Sequence, residues 1–430
     1  MLSPQIRSTF LDFFTTRGHR LVPSGSLLPP DPSLLVSNAG MNQFKPWFLG
    51  DVEPGFPRAT SVQKCVRTVD IDNIGHTRRH STFFEMLGNF SFGDYFKEEA
   101  IGFAYDLLTG PFDLSPDRLW ITVYEDDDES ARIWRSVGVP SARIQRLGAA
   151  DNFWSMGVPG PCGPCSDVTY DRGPAFGREG GPAIDPERFV ELWSLVFMRS
   201  VRGETEPDGG FPVLGDLPRT GVDTGLGLDR LATVLQGVDG VIGTDLLRPT
   251  LTSVEDLAGR EHSRLDRDDP DRVSFEVVTD HARAIAFLLA DGIRPSKEGT
   301  GYVLRRLMRR AIRHGRRLGI QGPILPPTTA SVVANLGPTW PELTQAASLI
   351  ESETTREEES FDRTLTRGTR LLDKAIRRRL EAGEPDLPAE TIFTLYDSHG
   401  FPPDLSIEAA QESGLTVNRS HLTTLLPHHP

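Results

Sequence analysis

The sequence has few of the features that place a protein outside the cell or in a membrane. Three cysteines in 430 residues are too few for a disulfide framework, which indicates a reducing compartment. No apolar run is long enough to span a bilayer, and the amino terminus lacks the apolar core of a signal peptide. We therefore expect a cytoplasmic protein with no membrane among its partners.

The usual motifs of covalent catalysis and nucleotide hydrolysis are also missing. There is no P-loop, and no Ser-His-Asp order can be supported. Cys162 and Cys165 have metal-ligand spacing, but no second pair of cysteines or histidines follows, and a zinc ribbon needs four ligands. We therefore predict no metal held by cysteine, and instead a stiff glycine- and proline-rich turn that presents Trp154 to a pocket.

Excess positive charge is missing too. The net charge of −14 argues against unselective binding of nucleic acid by the whole surface. One basic segment contrasts with this: Gly301–Arg317 is predicted to be a helix with an apolar stripe on one face and seven arginines on the other. Such a concentration of arginine suits a phosphate backbone, and an ordinary solvated face is the alternative.

The length and the hydrophobic pattern predict two domains. Residues 1–255 alternate strand-like runs with a few helices, which indicates an α+β fold built on a mostly antiparallel sheet. Strands are expected at 60–67, 81–88, 119–124 and 191–198, and a short one is expected at 34–36. Residues 256–430 are predicted to be almost entirely helical.

A ligand site is predicted in the segment Thr220–Leu231, where a glycine-containing run leads into a helix. Its alternating glycines let a ligand approach the backbone where no Cβ intrudes. Asp223 suits a cationic amine, and Arg230 suits a phosphate. The segment alone leaves open the alternative of a glycine turn before an ordinary amphipathic helix.

The strands at 60–67 and 81–88 form a second predicted part of the site. Arg67 on the first strand would bind phosphate, and Glu85 lies on the second. An aromatic ring, Phe90 or Phe92, would stack on a purine, so that the pair of strands forms a floor for ATP. A plain hairpin that packs its aromatic residues into a core is the alternative.

Five segments resemble alanyl-tRNA synthetases, and they follow the family's order within residues 4–405. They are Asn38–Lys45, Thr82–Lys97, Gly160–Cys165, Val222–Arg230 and Gly301–Arg306. The resemblance implies a class II synthetase domain, an antiparallel sheet flanked by helices, followed by a helical tRNA-recognition domain. It also implies an enzyme that activates alanine with ATP and Mg²⁺ to alanyl-adenylate and transfers it to tRNA(Ala).

The resemblance implies roles for individual residues. Arg67 would contact the α-phosphate, Arg230 the γ-phosphate and Asp223 the ammonium group of alanine, and these three are the catalytic residues. The residues expected to bind ATP are Arg67, Glu85, Phe90, Gly227 and Arg230. Those expected to bind the amino acid are Met86, Trp154, Ser194, Val196, Asp223 and Gly225. Those expected to bind tRNA are Arg305, Arg306, Arg309, Arg310, Arg313 and Asp397.

The sequence departs from the family's pattern in several places. It ends where the family continues into editing and carboxy-terminal domains, so the resemblance is to a truncated or paralogous form that is not expected to clear mischarged products. Lys297 and Thr300 stand where the family has Asn and Arg. Ser194 and Arg199 replace Asn and Gln beside the pocket. Two shorter acids replace Glu, at Asp167 and Asp229.

These departures keep two further hypotheses open. One is a paralogue that activates alanine or a similar small amino acid and passes it to a non-tRNA acceptor in a biosynthetic pathway. The other is a non-catalytic tRNA-binding protein, which the retained Arg67, Asp223 and Arg230 argue against.

Overall fold

The computed structural model describes residues 1–31, 33–206, 209–266, 269–399 and 401–425. The chain divides into two units, Met1–Arg248 and Pro249–Pro430. The predicted boundary at residue 255 falls inside a helix, Arg248–Ala258, that begins where the first unit ends.

In the described part of the first unit, nine strands form one sheet. They are β1 (Arg20–Leu21), β2 (Arg58–Val66), β3 (Phe83–Phe92), β4 (Leu119–Tyr124), β5 (Ile144–Leu147), β6 (Phe153–Ser155), β7 (Gly160–Asp171), β8 (Phe189–Arg202) and β9 (Val213–Gly227). Their order is β1-β2-β3-β9-β8-β7-β4-β5, and β6 pairs with β7. Only the β1–β2 and β4–β5 pairs are parallel among these strands. The predicted α+β fold with a mostly antiparallel sheet is therefore confirmed.

Helices flank this sheet. They are α1 (Ser3–Thr15), α2 (Lys45–Leu49), α3 (Lys97–Thr109), α4 (Asp128–Ser136), α5 (Ala149–Asn152) and α6 (Leu228–Gln236). The apolar face of α1 packs on the sheet, with the ring of Phe10 centred 5.7 Å from that of Trp193. This contact buries both rings completely or nearly so, which fixes α1 against β8.

The short strand expected at 34–36 is absent from the structure, and this part of the prediction is wrong. The segment runs as coil into a single turn of 3₁₀ helix, Gly40–Phe44. The Oδ1 atom of Asn42 accepts the backbone N–H groups of Asn38 and Ala39 at 3.0 and 2.8 Å. This side chain therefore fixes the turn that directly follows residues 34–36.

The second unit is helical, as predicted. Its helices are α7 (Arg248–Ala258), α8 (Pro270–Ala290), α9 (Gly299–Arg317), α10 (Leu325–Leu336), α11 (Pro341–Gln345), α12 (Ala347–Glu381), α13 (Ala389–His399), α14 (Pro403–Glu412) and α15 (Arg419–Leu425). The predicted apolar stripe of α9 is buried, including Leu304, Leu307 and Ile312. Within the described ranges, no helix combines the length and the apolar character needed to cross a bilayer.

Candidate active site

The pairing of β8 with β9 aligns the predicted site residues in two rows across the sheet. Val196 pairs with Asp223, and Ser194 pairs with Gly225. Side chains alternate between the two faces of a strand, so residues two apart point to the same side. The same register continues these two rows onto β7 through Cys165 and Asp167, and Met86 of β3 pairs with Gly227 of β9 in a third row.

This face of the sheet is the floor of a cavity of about 390 Å³. The site residues predicted in the first unit all line it, with the exception of Glu85 and Phe90. Those that line it are Arg67, Met86, Trp154, Ser194, Val196, Asp223, Gly225, Gly227 and Arg230. The fold thus brings together the residues predicted for an amine, for phosphates and for the walls of a small pocket.

Asp223 is a buried carboxylate of this cavity. Its side chain is almost inaccessible, and among the described residues its carboxylate has no ion pair and no hydrogen-bond donor. Burial raises the pKa of Asp223 to about 7. A buried carboxylate without a counter-charge is unfavourable, so a cation bound here would be stabilised strongly.

The two glycines of the cavity differ in how tightly they are packed. A Cβ at Gly225 would lie 2.8 Å from the sulfur of Met86, a distance that real Cβ atoms do not show. A Cβ at Gly227 would meet Arg230 at 3.6 Å, which is ordinary contact. The close packing around Gly225 therefore limits the size of the pocket beside Asp223, whereas Gly227 is not required sterically.

The two arginines predicted to bind phosphate lie at the edges of the cavity. Arg67 donates its Nε–H to the carbonyl oxygen of Asn38 at 3.2 Å, and its guanidinium carbon lies 5.0 Å from the centre of the Phe84 ring. Arg230 donates from Nη1 to the Oε1 atom of Glu191 at 3.1 Å. Both guanidinium groups keep further N–H groups for the bidentate contacts that phosphate favours.

The structure corrects the role expected for Glu85. Its carboxylate is completely buried and forms a bidentate ion pair with Arg7 of α1, at 2.6 and 2.5 Å. Met86 points into the cavity, so the adjacent Glu85 must point to the opposite face of the strand. Glu85 therefore links β3 to α1 and is not available to a nucleotide.

The structure also corrects the role expected for Phe90. Its ring is completely buried, with its centre 4.7 Å from that of Phe44, and it does not line the cavity. Phe92 is likewise in this aromatic core, 5.4 Å from Phe44. The ring that reaches the cavity is Phe84, which is only partly buried. The alternation of β3 carried this signal, because Phe84 lies two residues before Met86.

Glu191 is a cavity residue that sequence reasoning missed. Strand alternation from Ser194 would turn Glu191 away from the cavity. The register shifts between Val168 and Thr169, where β8 carries one extra residue, and this bulge reverses the alternation. Burial, together with the charge of Glu191, raises the pKa of Asp167 to about 7. Arg199, expected beside the pocket, is exposed and does not line it.

In the second unit, the arginines of α9 are engaged by carboxylates of the same unit. Glu357 of α12 contacts both Arg305 and Arg309, at 3.0 and 2.8 Å. Arg306 lies 3.3 Å from Asp404. The arginine face of α9 is therefore neither fully solvated nor free to bind phosphate. Three of these arginines, Arg305, Arg306 and Arg309, line a cavity of about 490 Å³ together with Asp397.

Two of the predicted tRNA contacts are structural instead. Arg310 is almost completely buried and contacts Glu408 of α14 at 2.9 Å and His281 of α8 at 3.0 Å. Arg313 also contacts Glu408, at 2.9 Å. Burial works to raise the pKa of Glu408, yet its contacts with His314 and Arg310 hold that pKa well below the usual range. These arginines therefore hold α14 on α9.

Comparison with known proteins gives a family match over nearly the whole chain. Residues 5–427 match the model described as tRNA synthetases class II (A). The alanine--tRNA ligase of Streptomyces avermitilis is 52% identical over 432 residues, which are 99% of this chain and 48% of that protein. The alanine--tRNA ligases of Thermobifida fusca and Mycolicibacterium smegmatis are 51% and 49% identical, with the same coverage. The chain thus spans about half the length of the curated relatives it matches.

Proposed function

Because the chain belongs to the class II tRNA synthetases (A), we propose that it activates alanine with ATP and transfers the alanyl group to tRNA(Ala). The observation that carries the proposal is the buried, unpaired carboxylate of Asp223 in a cavity narrowed by Gly225 and Met86. An ammonium group supplies the missing charge, and the narrow wall favours a small side chain. The relatives that match over the whole chain are named alanine--tRNA ligases, which agrees with this chemistry.

Activation is an in-line displacement at phosphorus. A carboxylate oxygen of alanine forms a bond to the α-phosphorus of ATP, and the bond to pyrophosphate breaks, so that alanyl-adenylate and pyrophosphate result. Asp223 would hold the ammonium group, Arg67 the α-phosphate and Arg230 the γ-phosphate. The residues act by positioning the reactants and neutralising phosphate charge. No side chain needs to form a covalent intermediate.

The purine is proposed to stack on Phe84. This ring lines the same cavity as Arg67 and already carries the Arg67 guanidinium over its face, 5.0 Å from the ring centre. A base on the ring and a phosphate on the guanidinium would thus lie on adjacent groups. This replaces the stacking role expected for Phe90.

The acidic residues of the cavity fit a Mg²⁺ ion that accompanies ATP. The Oδ1 atom of Asp167 is buried without a hydrogen-bond partner in the described structure, and the charge of Glu191 acts on the same carboxylate. Mg²⁺ prefers carboxylate and phosphate oxygens, and one or two carboxylates suffice when the substrate supplies the rest. Glu191 and Asp167 would hold the ion, which when bound neutralises phosphate charge.

The test is exchange of labelled pyrophosphate into ATP in the presence of alanine. We expect exchange with the wild-type chain and none with Asp223→Asn. Asp216→Asn is the matched control, because Asp216 is an exposed carboxylate on the same strand. Absence of alanine-dependent exchange in the wild-type chain would reject the proposal. Full exchange by Asp223→Asn would reject the role of that carboxylate.

A second candidate concerns the acceptor of the alanyl group. The arginines of α9 expected to hold tRNA are engaged by Glu357, Asp404 and Glu408, and the preceding segment carries Lys297 and Thr300 in place of the family's Asn and Arg. Both observations favour a paralogue that hands alanine to an acceptor other than tRNA. Charging of a tRNA(Ala) transcript with alanine distinguishes the two acceptors. Efficient charging rejects this candidate, and alanine-dependent pyrophosphate exchange without charging supports it.

A further inference from the structure

A second basic surface lies on the carboxy-terminal half of α12. At 3.6 residues per turn, five basic residues between positions 363 and 378 whose side chains the structure describes fall within an arc of about 100° on one face of the helix. We call them the α12 stripe: Arg363, Arg370, Lys374, Arg377 and Arg378. From residue 363 to residue 378 the sequence contains one acid, Asp373. The stripe thus concentrates positive charge in a chain whose net charge is −14.

The α12 stripe differs from the arginines of α9 in its pairing. All five side chains are exposed, and none of them has an ion pair among the described residues. One donor, the Nε–H of Arg377, bonds to the carbonyl oxygen of Asp373 in the same helix at 3.3 Å. By contrast, α9 faces carboxylates from the first half of α12, such as Glu357 and Glu358. The fold therefore neutralises one basic surface and leaves the other open.

The opposite side of α12 holds the helix in place. Phe361, Leu372 and Ile376 are buried in the second unit, so the apolar face is already covered. An amphipathic helix that lies in a membrane surface inserts its apolar face among the lipids. Since that face is occupied, the stripe is presented to solvent as a charged surface only.

A groove beside the stripe extends the basic surface. It has a volume of about 600 Å³, and two stripe members, Arg370 and Arg377, line it together with Arg313, Arg316 and Arg317 of α9. The α9 members are paired with acids, so the charges without an ion pair in the described part of this groove are those of α12: the guanidinium groups of Arg370 and Arg377 and the carboxylate of Asp373. A ligand in the groove would therefore meet two unpaired guanidinium groups spaced two turns apart on one helix face.

We propose that the α12 stripe binds the phosphate backbone of RNA. Fifteen residues of helix extend about 22 Å, which is the axial length of about six phosphates on one strand of a duplex. Unpaired, exposed arginines and lysines in a line offer this backbone charge without reading base sequence. The choice of RNA as the polyanion rests on the proposed transfer to tRNA, whereas the surface itself rests on the geometry of α12.

The test compares binding of a labelled tRNA(Ala) transcript by the wild-type chain and by the double variant Arg370→Gln/Arg377→Gln. Fluorescence anisotropy is measured over a series of salt concentrations. Each phosphate contact removed lowers the slope of log affinity against log salt by about 1. We expect the magnitude of the slope to fall by about 2. The ratio of the wild-type affinity to the variant affinity should therefore decrease about tenfold as the salt concentration rises from about 50 to 200 mM.

Arg356→Gln is the matched control. Arg356 is exposed on the same helix, but it is paired with Glu353. Glutamine keeps the helix propensity at all three positions, so the circular dichroism melting curves should coincide. The stripe variant should also weaken binding of an unrelated tRNA by the same factor, because phosphate contacts carry no sequence information. Wild-type affinity and salt slope in the stripe variant would overturn the proposal.

Two further measurements separate the alternatives. Vesicles of phosphatidylcholine and phosphatidylserine in equal parts test for a membrane surface, and binding to vesicles without binding to RNA would overturn the proposal. Alanine-dependent pyrophosphate exchange should be unchanged in the stripe variant. If the wild-type chain binds RNA through the stripe but shows no exchange, the proposed function fails and the surface stands. If exchange occurs and the stripe variant binds RNA normally, the surface fails alone.

Discussion

Replacing Asp223 by asparagine should make the unliganded protein more stable while it abolishes activation of alanine. Burial raises the pKa of Asp223 from 3.8 to about 7 in the folded chain. Ionising the Asp223 carboxyl therefore costs about 4 kcal/mol more in the folded state than in the unfolded chain, at about 1.36 kcal/mol for each pKa unit. The amide of asparagine carries no charge and does not pay this cost.

The sign of the pH dependence follows from the raised pKa. Below pH 3.8 the carboxyl is protonated in both states, and its burial carries no charge penalty. The penalty grows as the pH rises from 3.8 to about 7 and is constant above that. The stability advantage of Asp223→Asn should therefore be larger at pH 8 than at pH 5 by about 3 kcal/mol.

Urea unfolding of the wild-type chain, Asp223→Asn and Asp216→Asn at these two pH values measures the difference. Buried groups that titrate in all three proteins, such as Asp167, cancel in the comparison. Saturating alanine should raise the unfolding free energy of the wild-type chain, because a bound ligand stabilises the folded state by RT ln(1 + [L]/Kd). An advantage of the same size at both pH values, or equal stabilisation of Asp223→Asn by alanine, would refute the reasoning.

Four other substitutions separate ligand binding from folding stability. Phe84→Ala should raise KM for ATP in the exchange assay. Because Phe84 is only partly buried, this variant should lose less unfolding free energy than Phe90→Ala, which should lose about 3–5 kcal/mol. A raised KM in Phe90→Ala and an unchanged KM in Phe84→Ala would contradict the assignment of Phe84. Arg7→Gln leaves Glu85 buried and unpaired, and should cost about 3–5 kcal/mol in the same urea experiment, so a neutral result would contradict the ion pair. Arg310→Gln should lower the thermal midpoint, because it leaves the Glu408 carboxylate without one of its ion-pair partners. An unchanged midpoint would contradict the structural role given to Arg310.

The sheet part of the site could be predicted from sequence because strands impose a period of two. Residues 194 and 196, and residues 223, 225 and 227, share a face wherever their strands run. The same rule separates Glu85 from Met86, so a sequence that places Met86 in the pocket excludes Glu85. Glu191 could not be predicted, because a bulge in β8 reverses the alternation and no residue type in that segment marks the bulge.

The core position of Phe90 and the pairing of the α9 arginines were not predictable for a different reason. Phe90 has the correct parity for the cavity, but Phe44, far away in sequence, covers it. The carboxylates that engage Arg309 and Arg310 follow 48 and 98 residues later. A helical pattern identifies which residues share a face, and it gives no information on what packs against that face.

Pairing distinguishes the charges that bind ligands from those that hold the fold. Glu85 and Arg310 look functional in sequence, but each has its counter-charge within its own unit. Among the described residues, Asp223 and the α12 stripe have none, although the first is buried and the second exposed. An uncompensated buried charge costs stability, and a line of like charges repels itself. Both costs are relieved by a ligand of opposite sign, an ammonium group at Asp223 and a phosphate backbone at α12.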